Sequence, residues 1–142
     1  MLENFKIALT NTGLATSPIF LEMKKHTDLA DYAATRKLYA WVADGFAAFA
    51  KFTPNKADDQ LAAVLLFGIN SDLVWMGFCK LMQDYPNIPL DQITLDMCDE
   101  YCNIANAAAI NTNTVIGAGF FNRVTFRQFV QLAATIRLFI EE

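Results

Sequence analysis

Histidine is nearly missing from this chain: His26 is the only one, and it sits beside Lys24 and Lys25 in a stretch that reads as exposed surface. With three cysteines besides, Cys79, Cys98 and Cys102, the chain has no second Cys or His pair of the kind zinc motifs supply, so a complete zinc set is not expected. Cys98 and Cys102 are one helical turn apart, a spacing that suits metal ligands, yet no further Cys pair exists to complete a site. The cysteines are odd in number and form no obvious extracellular framework. They are expected to act as small buried hydrophobes in a reduced, cytoplasmic protein. The start MLENFKIALT lacks the charged head and apolar core of a signal peptide, so no leader is expected. No apolar run approaches the roughly eighteen residues that span a bilayer, which argues against membrane insertion. Also absent are a Gly-rich phosphate loop, HExxH, GxSxG and a dinucleotide fingerprint, and with them the commonest catalytic frames.

Basic charge is missing from one long stretch. Residues 81–122 carry Asp84, Asp91, Asp96, Asp99 and Glu100 and not one Lys or Arg. Residues 1–80 balance to zero and residues 123–142 return a single positive charge, so this segment accounts for the net −4. With a pI near 4.9, the chain has no clustered cations to neutralise phosphates, and a nucleic-acid partner is not expected.

What is there suits an ordered protein. The 142 residues are 54% hydrophobic and 18% charged, with a mean hydropathy of +0.25, against the composition of disorder. The length fits one ordinary domain, residues 1–142, with no linker, repeat or composition shift to divide it. The clearest breaks are 12–18 (TGLATSP) and 51–59 (KFTPNKADD). Between them, Leu29, Tyr32, Arg36, Tyr39, Val42, Phe46 and Phe49 recur at helical steps behind Thr27 or Asp28 as N-cap. Residues 61–69, LAAVLLFGI, suit either a strand buried on both faces or a buried helix. Ser71 or Asp72 then caps a helix running to about Tyr85, which Pro86, Asn87 and Pro89 end. The tail reads two ways: Phe126, Phe129, Val130, Ala133, Ile136 and Ile140 fit a helix, while TIRLFI at 135–140 has strand composition.

The stretch from about Asp91 to Ala109 is the most informative. At 100° per residue, Gln92, Asp96, Asp99, Glu100, Asn103 and Asn106 gather on about a third of a helical wheel. Ile93, Met97, Cys98, Tyr101, Ile104, Ala105 and Ala108 fill the other side. Asp96, Glu100 and Asn103 are spaced i, i+4, i+7, on one face. A carboxylate there can pair with a partner's lysine, and a carboxamide can hold a water by donating and accepting at once. A polar helix face is also simply what a solvated helix shows.

The run LDQITLDMCDEYCNIANAAA, residues 90–109, resembles the signature helix of the CheC/CheX/FliY chemotaxis phosphatases. Their pattern is Asp or Ser, three residues, Glu, two residues, Asn, then small residues, and Asp96, Glu100 and Asn103 match it without a gap. The preceding context is similar too: an apolar segment ending in Phe (62–67), a polar break, a helix ending in LM, a short acidic linker and a leucine. The likeness covers about residues 60–110. It implies an α+β fold with helices packed on an antiparallel sheet, and 61–67 and 135–140 are the expected strands. The implied activity is dephosphorylation of the aspartyl phosphate of a CheY-type receiver domain. Glu100 would dock on the receiver's lysine, and Asn103 would orient the attacking water. Asp96, Asp99 and Asn106 would line the docking face. The Mg²⁺ would belong to the receiver, so no cofactor of the chain's own is expected. Positioning and charge stabilisation are most of what phosphoryl transfer needs.

The alternative is an all-helical, non-enzymatic sensor or interaction module that binds an apolar ligand or a partner protein through its Phe-rich interior or an apolar face. Neither reading decides whether the chain pairs with a second copy.

Overall fold

Apolar residues at three- and four-residue steps favour helix along most of the chain, and helix is what forms. The computed structural model describes residues 2–54, 56–111 and 123–141, with the backbone alone for 104–111 and 123. The α-helices are α1 (Leu2–Asn11), α2 (Pro18–Lys25), α3 (Tyr32–Ala50), α4 (Lys56–Asn70), α5 (Asp72–Asp84), α6 (Leu95–Asn111) and α7 (Arg123–Glu141). Single 3₁₀ turns lie at Leu14–Thr16 and Leu90–Gln92.

Local chemistry sets the ends. Gly13 closes α1 at φ 73°, a left-handed conformation that costs glycine nothing, and Pro18 opens α2 where its missing N–H is no loss. Asp31 caps α3, its carboxylate accepting from the N–H groups of Ala33 and Ala34 at 3.0 and 3.2 Å. The cap is thus three residues past Asp28. Ser71 Oγ caps α5 by accepting from Val74 N–H at 3.3 Å, and Thr94 Oγ1 accepts from Met97 N–H at 3.2 Å at the start of α6. The acidic helix therefore begins at Leu95, and Gln92 lies in the 3₁₀ turn ahead of it.

The expected antiparallel sheet is absent: no strand occurs among the described residues, and both segments read as strands are helical. Residues 61–67 lie inside α4, which buries Leu61, Ala62, Val64, Leu65, Gly68 and Ile69 at helical spacing while the apolar Ala63 and Phe67 stand on its exposed side. Residues 135–140 lie inside α7. There the β-branched Thr135, Ile136 and Ile140 are buried at helical spacing, so tertiary packing overrides their strand preference. The α+β architecture implied by the chemotaxis-phosphatase resemblance is thereby corrected to an all-helical one. The α1 and α2 helices went unread in the sequence, since the first buries only Phe5 and Leu9 and the second only Phe20.

The core is organised around α7, which packs against α1, α3, α4 and α6. Phe126, Phe129, Val130, Leu132, Ala133 and Ile136 are essentially inaccessible to water. Two glycines let this helix in. A Cβ at Gly68 of α4 would collide with the ring of Phe129, and one at Gly77 of α5 would stand 3.3 Å from the Phe126 ring. Phe129 meets Phe78 edge-on at 5.8 Å, and Phe78 in turn contacts Trp75 and Tyr32.

The α4 and α5 helices turn through 91° at Ser71. Arg36 of α3 braces that corner: Nε donates to the Ile69 carbonyl at 2.7 Å and Nη1 to the Asp72 carboxylate at 2.7 Å. Arg137 makes a second brace, donating through Nη1 to the Pro86 carbonyl at 2.8 Å and the Tyr32 hydroxyl at 3.1 Å. No single helix among the described residues is long and apolar enough to cross a membrane.

Gly68→Ala is expected to lower the unfolding free energy by about 1–3 kcal/mol, the usual cost of overpacking. Urea denaturation measures it, and adding Phe129→Leu should recover part of the loss relative to Phe129→Leu alone. A wild-type midpoint in Gly68→Ala would contradict the contact.

Candidate functional site

The α6 helix presents the residues singled out from the sequence. Its buried side is Cys98, Tyr101 and Cys102. Opposite, Asp96, Glu100 and Asn103 are exposed and Asp99 is half-buried at the margin. The side chain of Asn106, the remaining expected docking residue, lies outside the described residues. Glu100 and Asn103 are three positions apart, about 4.5 Å along the axis at the standard rise, so a carboxylate and a carboxamide emerge side by side.

The helix is held in that orientation from beneath. The Tyr101 hydroxyl donates to the Asp84 carboxylate of α5, and Lys80 Nζ stands 3.9 Å from the same group. Burial first, and the adjoining Asp84 second, keep the Tyr101 phenol well above the ordinary range. Arg127 of α7 donates through Nε to the Ile93 carbonyl at 2.7 Å, fixing the chain just before α6. Chemically, this face can offer carboxylates to a cationic partner. Among the described residues no group of three His, Cys, Asp or Glu is placed to hold a metal ion.

The described cavities lie elsewhere. One of about 280 Å³ is lined by Leu95 of α6 and by Val124, Arg127, Gln128 and Gln131 of α7. Two others adjoin along α7. The first, about 150 Å³, is walled by Leu2, Glu3 and Lys6 of α1, Leu90, and Leu138 and Phe139 of α7. The second, about 210 Å³, is walled by Ala15, by Phe20, Leu21 and Lys24 of α2, and by Phe139. Thr10 and Phe139 belong to both, so the two form one cleft between α1, α2 and α7. Glu100 and Asn103 line none of the three.

Sequence reasoning missed this cleft. Its only signals were the i, i+3, i+7 spacing of Leu2, Phe5 and Leu9 and the pairing of aromatic with basic residues in 20–24. Its walls are well set: Phe20 stacks on Trp41 at 5.8 Å and meets Phe139 at 5.7 Å, and Gln131 donates to the Leu90 carbonyl at 3.3 Å.

The thiols are poorly suited to chemistry. Burial pushes the Cys98 thiol up to about 12 and that of half-buried Cys79 up to about 11. Cys98 and Cys102 are buried, as a role as small hydrophobes requires. No family model, curated protein or solved structure matches the chain.

Each of these two thiols loses its proton near 9 in the unfolded chain and only at about 11 or 12 when folded. Their burial therefore stabilises fully below about pH 9, and that stabilisation drains away as pH rises towards 12. The urea midpoint is expected to fall between about pH 8 and about pH 10.5, and iodoacetamide at the lower pH to leave Cys98 unmodified until the chain unfolds. Rapid native labelling of Cys98 would contradict this account.

Proposed function

We propose that the chain is a non-enzymatic helical binding module that takes an apolar ligand in the cleft between α1, α2 and α7. The observation that carries this reading is the pair of adjoining cavities sharing Thr10 and Phe139, with Leu21 and Leu138 left 51% and 39% exposed at the cleft. Small-molecule sites are concave, mostly apolar and marked by a few polar groups, and this cleft has that make-up. Buried Phe20 and partly buried Phe139 meet in its wall, and a wall set by such packing reduces the ordering cost of binding.

A second reading keeps the acidic face as a catalytic one. The exposure of Glu100 and Asn103 together on α6 favours it. In that reading Glu100 docks on the lysine of a phosphorylated CheY-type receiver and Asn103 places the water, with Mg²⁺ held by the receiver. It ranks below the first because the sheet that came with the resemblance is absent from the described residues and neither residue lines a described cleft.

Nile red, a neutral apolar probe, is expected to bind the wild-type protein and to lose most of that binding in Leu138→Glu, whose urea midpoint stays near wild type because the residue is partly exposed. Equal binding by the two proteins would remove the cleft from consideration. For the second reading, phosphate loss from a panel of phosphorylated receivers is expected to run at its intrinsic rate with the protein present. Acceleration that disappears in Asn103→Ala would put the phosphatase reading first.

A further inference from the structure

We propose that the cavity between the start of α6 and α7 is a separate site for a short-chain aliphatic monocarboxylate, its carboxylate on the Nη edge of Arg127 and its hydrocarbon against Leu95 and Val124. The site does not depend on the α1–α2–α7 cleft, with which it shares no wall residue.

The donor edge comes first. Arg127 donates through Nε to the Ile93 carbonyl at 2.7 Å, which fixes the plane of its guanidinium. Arg36 spends Nη1 on Asp72, and Arg137 spends Nη1 on Pro86 and Tyr32. Among the described residues no acceptor takes the Nη groups of Arg127 and no carboxylate pairs with it. Nor are those groups sealed in the interior, so a ligand can reach them. The Nη1–Nη2 edge therefore offers two parallel N–H donors, spaced for the two oxygens of one carboxylate.

Size and surroundings select the rest. At about 280 Å³ the cavity stands close to the ~300 Å³ at which small-molecule sites begin, which suits a short chain and not a long one. Of the wall residues only Arg127 is charged; Gln128 and Gln131 add carboxamides, and Leu95 and Val124 add hydrocarbon. Gln131 already donates to the Leu90 carbonyl, which leaves the guanidinium as the stronger donor. A dianion such as phosphate would bring a second charge that no second cation in the wall meets, next to a stretch holding Asp91, Asp96 and Asp99. A neutral amide would leave the guanidinium without a counter-charge. A monocarboxylate on a short alkyl group matches the one cation and the two apolar residues together.

Amide NMR titration of the full chain with 3-methylbutanoate and with its neutral counterpart 3-methylbutanamide tests this. Wild type is expected to bind the carboxylate about fivefold more tightly, the scale of a partly exposed ion pair, with shifts centred on Leu95, Val124 and Arg127. In Arg127→Gln the preference should vanish. Val124→Glu, at a residue 58% exposed, should weaken binding of the carboxylate and leave that of the amide, and it carries the test if Arg127→Gln fails to fold. Leu138→Glu should change neither affinity, so this site and the apolar cleft fail separately. Equal binding of the two ligands by wild type, or a preference that survives Arg127→Gln in a folded protein, overturns the assignment. So does the absence of any saturable shift, a set of shifts centred on Thr10 and Phe139, or inorganic phosphate competing as well as the carboxylate.

Discussion

The packing depends on an aromatic ring pressed against a position with no side chain. Phe129 lies so near Gly68 that a single methyl there would collide with it, and the same helix brings Phe126 close to Gly77. Because these contacts lie on α4 and α5, they set how deeply α7 sinks between its neighbours. The ring of Phe129 then meets Phe78, which links it to Trp75 and Tyr32, so one sterically fixed contact propagates through an aromatic chain into α3 and α5. Close-packed interiors transmit displacement in this way because they hold few voids to absorb it.

Two arginines turn packing into orientation. Arg36 satisfies a carbonyl at the end of α4 and a carboxylate at the start of α5, two groups that a sharp corner would otherwise leave to solvent. Arg137 ties the centre of the fold to the turn after α5 and to the start of α3. Both side chains reach two separate partners from a rigid fork, which a lysine would not reproduce. Tyr101 and Asp84 complete the set by pinning α6 to α5, so that the acidic face points outward.

The sequence made the helical middle of the chain legible and misled on its two most apolar segments. Asp96, Glu100 and Asn103 came out exposed and Cys98, Tyr101 and Cys102 buried because a half-buried helix writes its period plainly. Residues 61–67 and 135–140 read two ways, since the exposed Ala63, Phe67 and Leu138 put apolar residues where polar ones would separate a strand from a helix. The resemblance to an α+β family then tipped an undecided reading the wrong way. It rested on three positions of one helix, and a helix face is a local pattern that many architectures can carry. The cleft was hidden for a different reason: its walls come from both ends of the chain, and nothing in Leu2 or Lys24 announces Phe139 as a neighbour.

The first two helices are anchored by few residues. Phe5 and Leu9 alone are buried from α1, and Phe20 alone from α2, whereas α7 buries residues along most of its length. Local opening free energy scales with such anchorage, so this end of the molecule can detach in small steps while the Phe129 core stays intact. The cleft lies between the parts of the chain that loosen first and the part that loosens last. Whatever packs into it ties the weakly anchored end of the molecule to its most firmly seated helix.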